Sequence, residues 1–220
     1  MSRHHPKIAL FHALRESERP SWRAMEKIWP EARYFNLVDD SLPGDLVAQG
    51  GLTEPIVARF LAMGRYAAST GARGLLFTCS AFGPAIDAVK KDLDIPVLRP
   101  NEAAFERALA LGARIGLLVT FERSLGSLRQ ELGQMAASRG LDVSVVGSVV
   151  EGALAALQSG RADEHDRLVA DAARKLTGVD VIVLGQFSLA RAADSIRNHT
   201  ALPVITTPES AVQKMKGLVA

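Results

Sequence analysis

Cysteine is the scarcest residue of this 220-residue chain, which has one, at position 79. A single cysteine excludes an intramolecular disulfide framework and suits a reducing compartment, so we expect a cytoplasmic protein. Apolar runs of the roughly 18 residues needed to cross a bilayer are missing, and the amino end shows no clear cleavage site of a signal peptide. The sequence therefore predicts no membrane association.

An excess of charge of one sign is also missing. The 26 Lys and Arg residues nearly balance the 24 Asp and Glu residues, which leaves a net charge of +2, and no basic block stands out. This balance disfavours a nucleic-acid surface. The glycine-rich signatures of nucleotide and dinucleotide sites are absent, as is any His, Cys, Asp and Glu spacing typical of a metal site. We therefore expect no nucleic-acid partner and no metal.

Apolar segments that alternate with helical patterns run through the whole chain. Hydrophobic residues make up 48% of it and charged residues 23%, a balance typical of globular proteins. Short apolar runs, such as 8–12, 115–119 and 181–184, are followed by polar loops and then by helical spacing. This alternation predicts an α/β fold with mainly parallel sheets. Residues 39–45 are polar and contain Pro43 and Gly44, so we expect a loop there.

An internal repeat relates the two halves of the chain at a constant offset, the one that places Ile8 on Ile115. The offset superposes the apolar runs that precede each loop and places Cys79 on Gln186. Identical pairs at this offset are Ile8/Ile115, Leu10/Leu117, Ser17/Ser124, Ala85/Ala192, Asp87/Asp194, Pro96/Pro203 and Val97/Val204. We therefore predict two similar α/β domains, 1–98 with 208–220 and 99–207. Because ligands of α/β sheets bind at the carboxyl ends of the strands, we expect one cleft enclosed by loops of both domains.

Cys79 lies where an apolar run ends and a helix is predicted to begin. Residues 75–77 are apolar, residues 78–83 are small, polar or aromatic, and Pro84 suits an early helical position. Backbone N–H groups at the start of a helix favour a thiolate, so a reactive cysteine with a depressed pKa is one interpretation. The other is a buried structural cysteine, which is the commoner fate of a lone cysteine.

Three strand-loop segments carry a family resemblance: Phe77-Thr78-Cys79-Ser80, residues 115–120 and residues 180–186. In these segments, and over nearly the whole chain, the sequence resembles the aspartate/glutamate/hydantoin racemase superfamily, which includes arylmalonate decarboxylase and maleate isomerase. The resemblance implies two pseudo-symmetric α/β domains with the active site between them, and no cofactor. It also implies two cysteines, one per domain, on opposite faces of the substrate carbon.

The resemblance assigns roles to individual residues of this chain. Cys79 occupies the position of the first family cysteine, and Gln186 stands where the second is expected. His12 falls where glutamate racemases carry an aspartate, and it is a candidate catalytic residue beside Cys79. The loops that would supply N–H and hydroxyl donors to a substrate carboxylate give the candidate binding residues Thr78, Ser80, Ala81, Thr120, Phe121, Gln186, Phe187 and Ser188.

The missing second thiol limits the chemistry, because an amide does not titrate in the useful range. One solution is that another group, His12 or Glu122, serves the second face of the substrate. A second is a reaction that needs one proton donor, such as decarboxylation, in which Cys79 protonates the enediolate. A third is covalent attack by Cys79, as in a maleate-isomerase-like reaction. One-thiol chemistry ranks above two-thiol racemization.

The leading hypothesis is therefore a cofactor-independent enzyme that transfers a proton at a carbon bearing a carboxylate. It predicts a small carboxylic acid as substrate, and a homodimer is a reasonable expectation for such an enzyme. One alternative is a protein that kept the cleft, lost the chemistry and binds small acids. Another is a hydrolase with Cys79 as nucleophile and His12 as base, which requires the two side chains within hydrogen-bond reach.

Overall fold

The computed structural model describes residues 5–219 of the chain. Two compact units are present, one within Met1–Pro100 and Ala211–Ala220, the other within Asn101–Ser210. The predicted divisions, 98/99 and 207/208, lie slightly earlier in the chain. Among residues 5–219, no helix combines the length and the apolar character needed to span a membrane.

The first unit contains one parallel sheet. Its strands are β1 (Lys7–His12), β2 (Arg33–Val38), β3 (Gly74–Phe77) and β4 (Val97–Leu98), in the spatial order β2-β1-β3-β4. Its helices are α1 (Glu18–Ile28), α2 (Leu42–Ala48), α3 (Glu54–Ser69) and α4 (Gly83–Asp92), with 3-10 turns at Arg15–Ser17 and Ser80–Phe82.

The second unit repeats this arrangement. Its strands are β5 (Arg114–Val119), β6 (Ser144–Val149), β7 (Val181–Leu184) and β8 (Val204–Thr206), in the order β6-β5-β7-β8. Its helices are α5 (Glu102–Leu111), α6 (Glu122–Ala137), α7 (Ala153–Gln158), α8 (Ala162–Arg174) and α9 (Ala193–Arg197), with a 3-10 turn at Phe187–Ala192. Helix α10 (Thr207–Val219) closes the described chain. The predicted α/β fold with parallel sheets is confirmed.

The internal repeat extends to single hydrogen bonds. Thr78 N–H donates to Phe11 O at 3.0 Å, and at the corresponding positions of the second unit Gly185 N–H donates to Leu118 O at 2.8 Å. Strands β1 and β3 correspond to β5 and β7 at the same constant offset. The segment between the first two strands is longer in the second unit, so β6 lies farther along the chain than the offset from β2 predicts. The gap-free offset therefore holds for the central strands and not for these edge strands.

Aromatic packing fills one face of the first sheet. Phe11 and Phe77 are neighbours in the β1–β3 register, and their rings lie 5.1 Å apart. Phe60 of α3 packs on both, at 5.2 and 5.4 Å, and Phe82 packs on Phe60 at 5.1 Å. Cys79 packs against the same cluster, on the side to which alternate residues of the strand point. The segment bearing the thiol is thus attached to the core of its unit.

The loop predicted at 39–45 is wrong in its second half, because α2 begins at Leu42. Pro43 lies in the first turn of this helix, where its missing N–H costs no hydrogen bond. The Arg59 guanidinium pairs with Asp39 and Asp45, on either side of the helix start. These contacts come from α3, so the local sequence carries no sign of them.

Candidate functional site

Cys79 lies directly after β3, at the carboxyl edge of the first sheet. Its backbone is still extended, with φ −114° and ψ 118°, and it caps the 3-10 turn Ser80–Phe82 that leads into α4. The residue is partly buried, and its side chain packs on the phenylalanine cluster. This is the strand, tight loop and helix order that the sequence predicts around the only thiol.

Burial controls the ionisation of this thiol. It raises the pKa of Cys79 to about 11, although a hydrogen bond from the backbone N–H of Ala81 acts in the opposite direction. The expectation of a depressed pKa is therefore wrong for this structure, because desolvation outweighs the N–H groups at the start of the turn. At neutral pH, Cys79 rests as a protonated thiol.

His12 ends β1 and is completely buried. Its Nδ1 lies 3.0 Å from Thr78 Oγ1, and its Nε2 lies 3.0 Å from Asn36 Oδ1. Desolvation lowers the pKa of His12 from 6.5 to about 4, against an opposing effect of the Asn36 hydrogen bond. The ring is therefore neutral at physiological pH. Since both ring nitrogens are engaged, His12 is not placed as the base that a Cys79 hydrolase requires.

Gln186 occupies the place in the second unit that Cys79 has in the first. It follows β7 with φ −137° and ψ 148° and caps the 3-10 turn Phe187–Ala192. Its Oε1 accepts hydrogen bonds from the backbone N–H of Thr120 at 2.6 Å and from the Thr120 hydroxyl at 2.7 Å. These two donors, from the loop after β5, fix the orientation of the amide. The Nε2 group therefore points away from Thr120.

The other predicted site residues differ in their accessibility. Ser80 is partly buried and Ala81 is exposed, while Phe121 is 43% exposed at the start of α6. Thr78, Phe187 and Ser188 are buried. Glu122, considered for the second face of the substrate, is exposed in the first turn of α6. Of the predicted binding residues in this group, Ser80, Ala81 and Phe121 offer side-chain surface, and the side chains of Thr78, Phe187 and Ser188 are enclosed.

Two residues that the sequence did not single out belong to the first site. The Trp22 indole N–H donates to Asn36 Oδ1 at 2.9 Å, and the same oxygen faces His12. The available signal was Asn36 itself, a polar residue in the middle of the apolar strand β2. No spacing in the sequence links it to Trp22, because the sheet brings the two together.

A second missed cluster anchors the turn after Gln186. Arg191 donates to Asp166 of α8 through Nε at 2.7 Å and through Nη2 at 3.1 Å, and the buried His165 donates to the same carboxylate at 2.8 Å. Burial opposes the ionisation of Asp166, but the hydrogen bonds from His165 and Arg191 bring its pKa below the usual value. The cluster therefore holds the turn as a charged pair.

Groups of three or more His, Cys, Asp or Glu side chains that could hold a metal do not occur within residues 5–219. The site in each unit is instead built from neutral donors and acceptors at the carboxyl edge of a parallel sheet. In the first unit this edge carries a thiol, and in the second it carries an amide.

Comparison with known proteins gives one sequence relative and several structural ones. An uncharacterized protein of Schizosaccharomyces pombe is 28% identical over 153 residues, which is 67% of this chain. The match spans 64% of that relative, so less than two thirds of its length is covered. Allantoin racemase from Klebsiella pneumoniae superposes with a TM-score of 0.71 at 20% identity, over 97% of this chain and 87% of that chain. Aspartate racemase from Picrophilus torridus gives 0.74 at 13% identity, over 97% and 93%.

The structural likenesses, all at low identity, establish the shared fold. The family model for Asp/Glu/hydantoin racemases matches residues 45–215, which is most of the chain and includes both Cys79 and Gln186. This match confirms the resemblance carried by the strand-loop segments. The chain therefore belongs to the Asp/Glu/hydantoin racemase family.

Proposed function

We propose that this protein is a racemase-family enzyme that transfers a proton at a carbon bearing a carboxylate, without a cofactor and with Cys79 as its single thiol. Its substrate is a small carboxylic acid. The family resemblance assigns both Cys79 and Gln186 to the substrate. Cys79 and Gln186 then occupy the two positions that the family resemblance assigns to a pair of cysteines.

The orientation of the Gln186 amide is the observation that carries the proposal. Its oxygen is occupied by the two donors of Thr120, so what it can offer a ligand is the N–H groups of Nε2. Such a group stabilises negative charge on a substrate oxygen but neither removes nor delivers a proton. The second face of the substrate therefore lacks an acid, and proton transfer takes place on the Cys79 face.

The protonated thiol favours the direction in which Cys79 acts as an acid. In a decarboxylation, the carbon–carbon bond to a carboxylate breaks, carbon dioxide leaves, and the electron pair remains on the substrate as an enediolate. The enediolate carbon then takes the proton from Sγ, and water reprotonates the resulting thiolate. In a racemase-type reaction the thiolate first removes an α-proton, which requires Cys79 to ionise against its raised pKa.

A second candidate is a non-catalytic protein that binds small acids. The raised thiol pKa favours it, because burial brings that pKa to about 11 and the opposing effect is that of a backbone N–H, from Ala81. In this case the Gln186 N–H groups bind a carboxylate that undergoes no reaction. The two candidates differ in whether the substrate carbon exchanges its hydrogen.

Incubation in heavy water with NMR detection tests the proposal. The probes are aspartate, glutamate, allantoin, an arylmalonate and maleate, each with wild-type protein and with Cys79→Ser. We expect deuterium at the carbon next to the carboxylate of at least one probe, or at the stereogenic ring carbon of allantoin, and no label with Cys79→Ser. Label that appears equally with both proteins would contradict the role of the thiol, and binding without label would favour the non-catalytic candidate.

A matched control separates the loss of the thiol from a loss of the fold. Lys91→Ala changes an exposed residue of α4, the helix that follows the same turn, and leaves Cys79 and the candidate binding residues in place. We expect this variant to retain label incorporation. Equal thermal stability of the two variants would attribute the difference between them to the chemistry of residue 79.

A further inference from the structure

We propose that Trp22 and Asn36 hold His12 as its Nε2–H tautomer, and that His12 thereby positions the segment Thr78–Cys79 instead of exchanging a proton with substrate. The tautomer follows from the contacts of the first unit together with the neutrality of the buried ring. The positioning role for the thiol rests on the proposed function. Each part has its own measurement.

Trp22 offers an indole N–H, which can only donate a hydrogen bond. The atom of Asn36 that lies 2.9 Å from it must therefore be the amide oxygen and not the amide nitrogen. The choice between the two ends of an amide is normally made from its neighbours, and here one neighbour allows a single answer. Trp22 thus fixes the direction in which the Asn36 side chain faces.

The Asn36 amide oxygen in turn determines which nitrogen of His12 carries the hydrogen. Its Nε2 lies 3.0 Å from the same Asn36 oxygen, which has only lone pairs to offer. A favourable contact therefore requires the hydrogen on Nε2. Because the buried ring is neutral, its other nitrogen, Nδ1, carries a lone pair and can only accept.

The hydrogen-bond network continues from His12 to Thr78, the residue before Cys79. Thr78 Oγ1 lies 3.0 Å from His12 Nδ1 and 3.1 Å from Phe11 O, and both of these are acceptors in this state. The single hydroxyl hydrogen is shared between Nδ1 and the Phe11 carbonyl, and both acceptors lie on the inner side of the segment. The Thr78 hydroxyl is therefore turned inward, and it offers no hydrogen to a substrate carboxylate.

The position of these groups explains what they do for the site. Thr78 faces away from the phenylalanine cluster, while Cys79 faces toward it, as alternation along an extended segment requires. One side of the segment is thus held by polar contacts and the other by the apolar core. The polar contacts of Thr78 and the apolar packing of Cys79 together fix the orientation of the Cys79 side chain.

Nitrogen NMR reads the tautomer directly. The chain contains five histidines, and His12 is assigned by its disappearance in His12→Gln. In long-range proton–nitrogen spectra of the wild-type protein at pH 7, we expect Nε2 as the protonated nitrogen and Nδ1 as the unprotonated one. A ring protonated on Nδ1, or on both nitrogens, would overturn the proposal without any variant.

Substitutions test the two residues that set the tautomer. Trp22→Phe removes the indole hydrogen, so the Asn36 amide can turn its nitrogen toward His12 and shift the proton to Nδ1. The double variant Trp22→Phe with Asn36→Asp should restore the hydrogen on Nε2, because a carboxylate can only accept, while its charge also favours a second proton on Nδ1. An Nε2–H signal unchanged in Trp22→Phe would refute the role of the indole.

Alkylation of the only cysteine measures the positioning role. We expect iodoacetamide to modify Cys79 several-fold faster in Trp22→Phe than in the wild-type protein, and the double variant to return to the wild-type rate. Equal rates in all three proteins would contradict positioning of the thiol while leaving the tautomer standing. Neither measurement requires a substrate, so both remain informative if the proposed function fails.

Discussion

The carboxyl edges of the two units differ in chemistry while their backbones match. Cys79 and Gln186 follow corresponding strands, both are extended, and both cap a 3-10 turn. The thiol receives one backbone N–H, from Ala81, and the amide receives two donors from Thr120. The comparison teaches that the scaffold sets where a functional side chain stands. The surroundings of each edge then determine whether that side chain can release a proton.

The residues beneath these positions differ as well. In the first unit, His12 and Thr78 form a polar contact that extends to Asn36. At the same offset the second unit has Val119, buried in an apolar cluster, and Gly185. A polar network therefore lies behind the thiol, whereas apolar packing lies behind the amide. Four substitutions or conditions test this contrast.

The largest effect, on the rate of label incorporation, is expected when Cys79 is replaced by glutamine, the residue at the corresponding position of the second unit. Cys79→Gln places an amide on a backbone that holds the same residue type at Gln186, so the fold should persist. Without an acid or base at residue 79, the rate of label incorporation should fall by about 10³-fold. Comparison of initial rates by NMR checks this, with thermal melting as the control for folding. A variant that keeps the wild-type rate would contradict catalysis by the thiol.

The reverse substitution should add a reaction that the wild-type protein lacks. Gln186→Cys supplies a second thiol, and the Thr120 donors that hold the amide oxygen remain available to a thiolate. We expect a single enantiomer of the labelled acid from the wild-type protein and both enantiomers from the variant. Chiral chromatography of the labelled product measures this. Both enantiomers from the wild-type protein would mean that another residue serves the second face.

The sequence was sufficient for the parts of this comparison that depend on local pattern. The bounds of β7 coincide with the apolar run 181–184, because this run stops at Gly185. The constant offset between the two halves identified the central strands and paired Cys79 with Gln186. Helix α2 was missed because Pro43 and Gly44 suggest a loop, and only tertiary contacts of Arg59 show otherwise.

The properties of the site depend on packing and could not be obtained from the pattern. The pKa of Cys79 was predicted to be depressed from its place before a helix, whereas desolvation raises it. The amount of desolvation depends on the phenylalanine cluster, whose members come from β1, α3, β3 and the turn after it. Similarly, the hydrogen bond from Trp22 to Asn36 forms only when α1 packs on the sheet.

The polar network of the first unit should make stability depend on pH. Burial lowers the pKa of His12 from 6.5 to about 4. As pH falls through 6.5 the unfolded chain binds a proton that the folded ring does not bind, so the free energy of unfolding decreases until about pH 4. The loss over this range is about 3 kcal/mol. Urea unfolding from pH 7 to pH 4 measures it.

His12→Asn is the control for this pH dependence, because the other titrating groups remain. The difference in unfolding free energy between wild type and variant should be constant above pH 7 and shrink as the pH falls toward 4. Parallel pH curves for the two proteins would show that His12 is not the buried neutral group that the first unit requires.

The smallest effect is expected where the second unit replaces a side chain with glycine. A Cβ at Gly185 would lie 2.9 Å from Leu117 Cδ1 and 3.0 Å from Leu118 O, so the backbone must shift to accept it. Gly185→Ala should destabilise the protein by about 2 kcal/mol. Gly126→Ala is the matched control, because its Cβ would meet nothing within 4 Å in the middle of α6. This variant should stabilise by about 1 kcal/mol. A Gly185→Ala protein that is as stable as the wild type, or more stable, in denaturant unfolding would refute the close approach at Gly185.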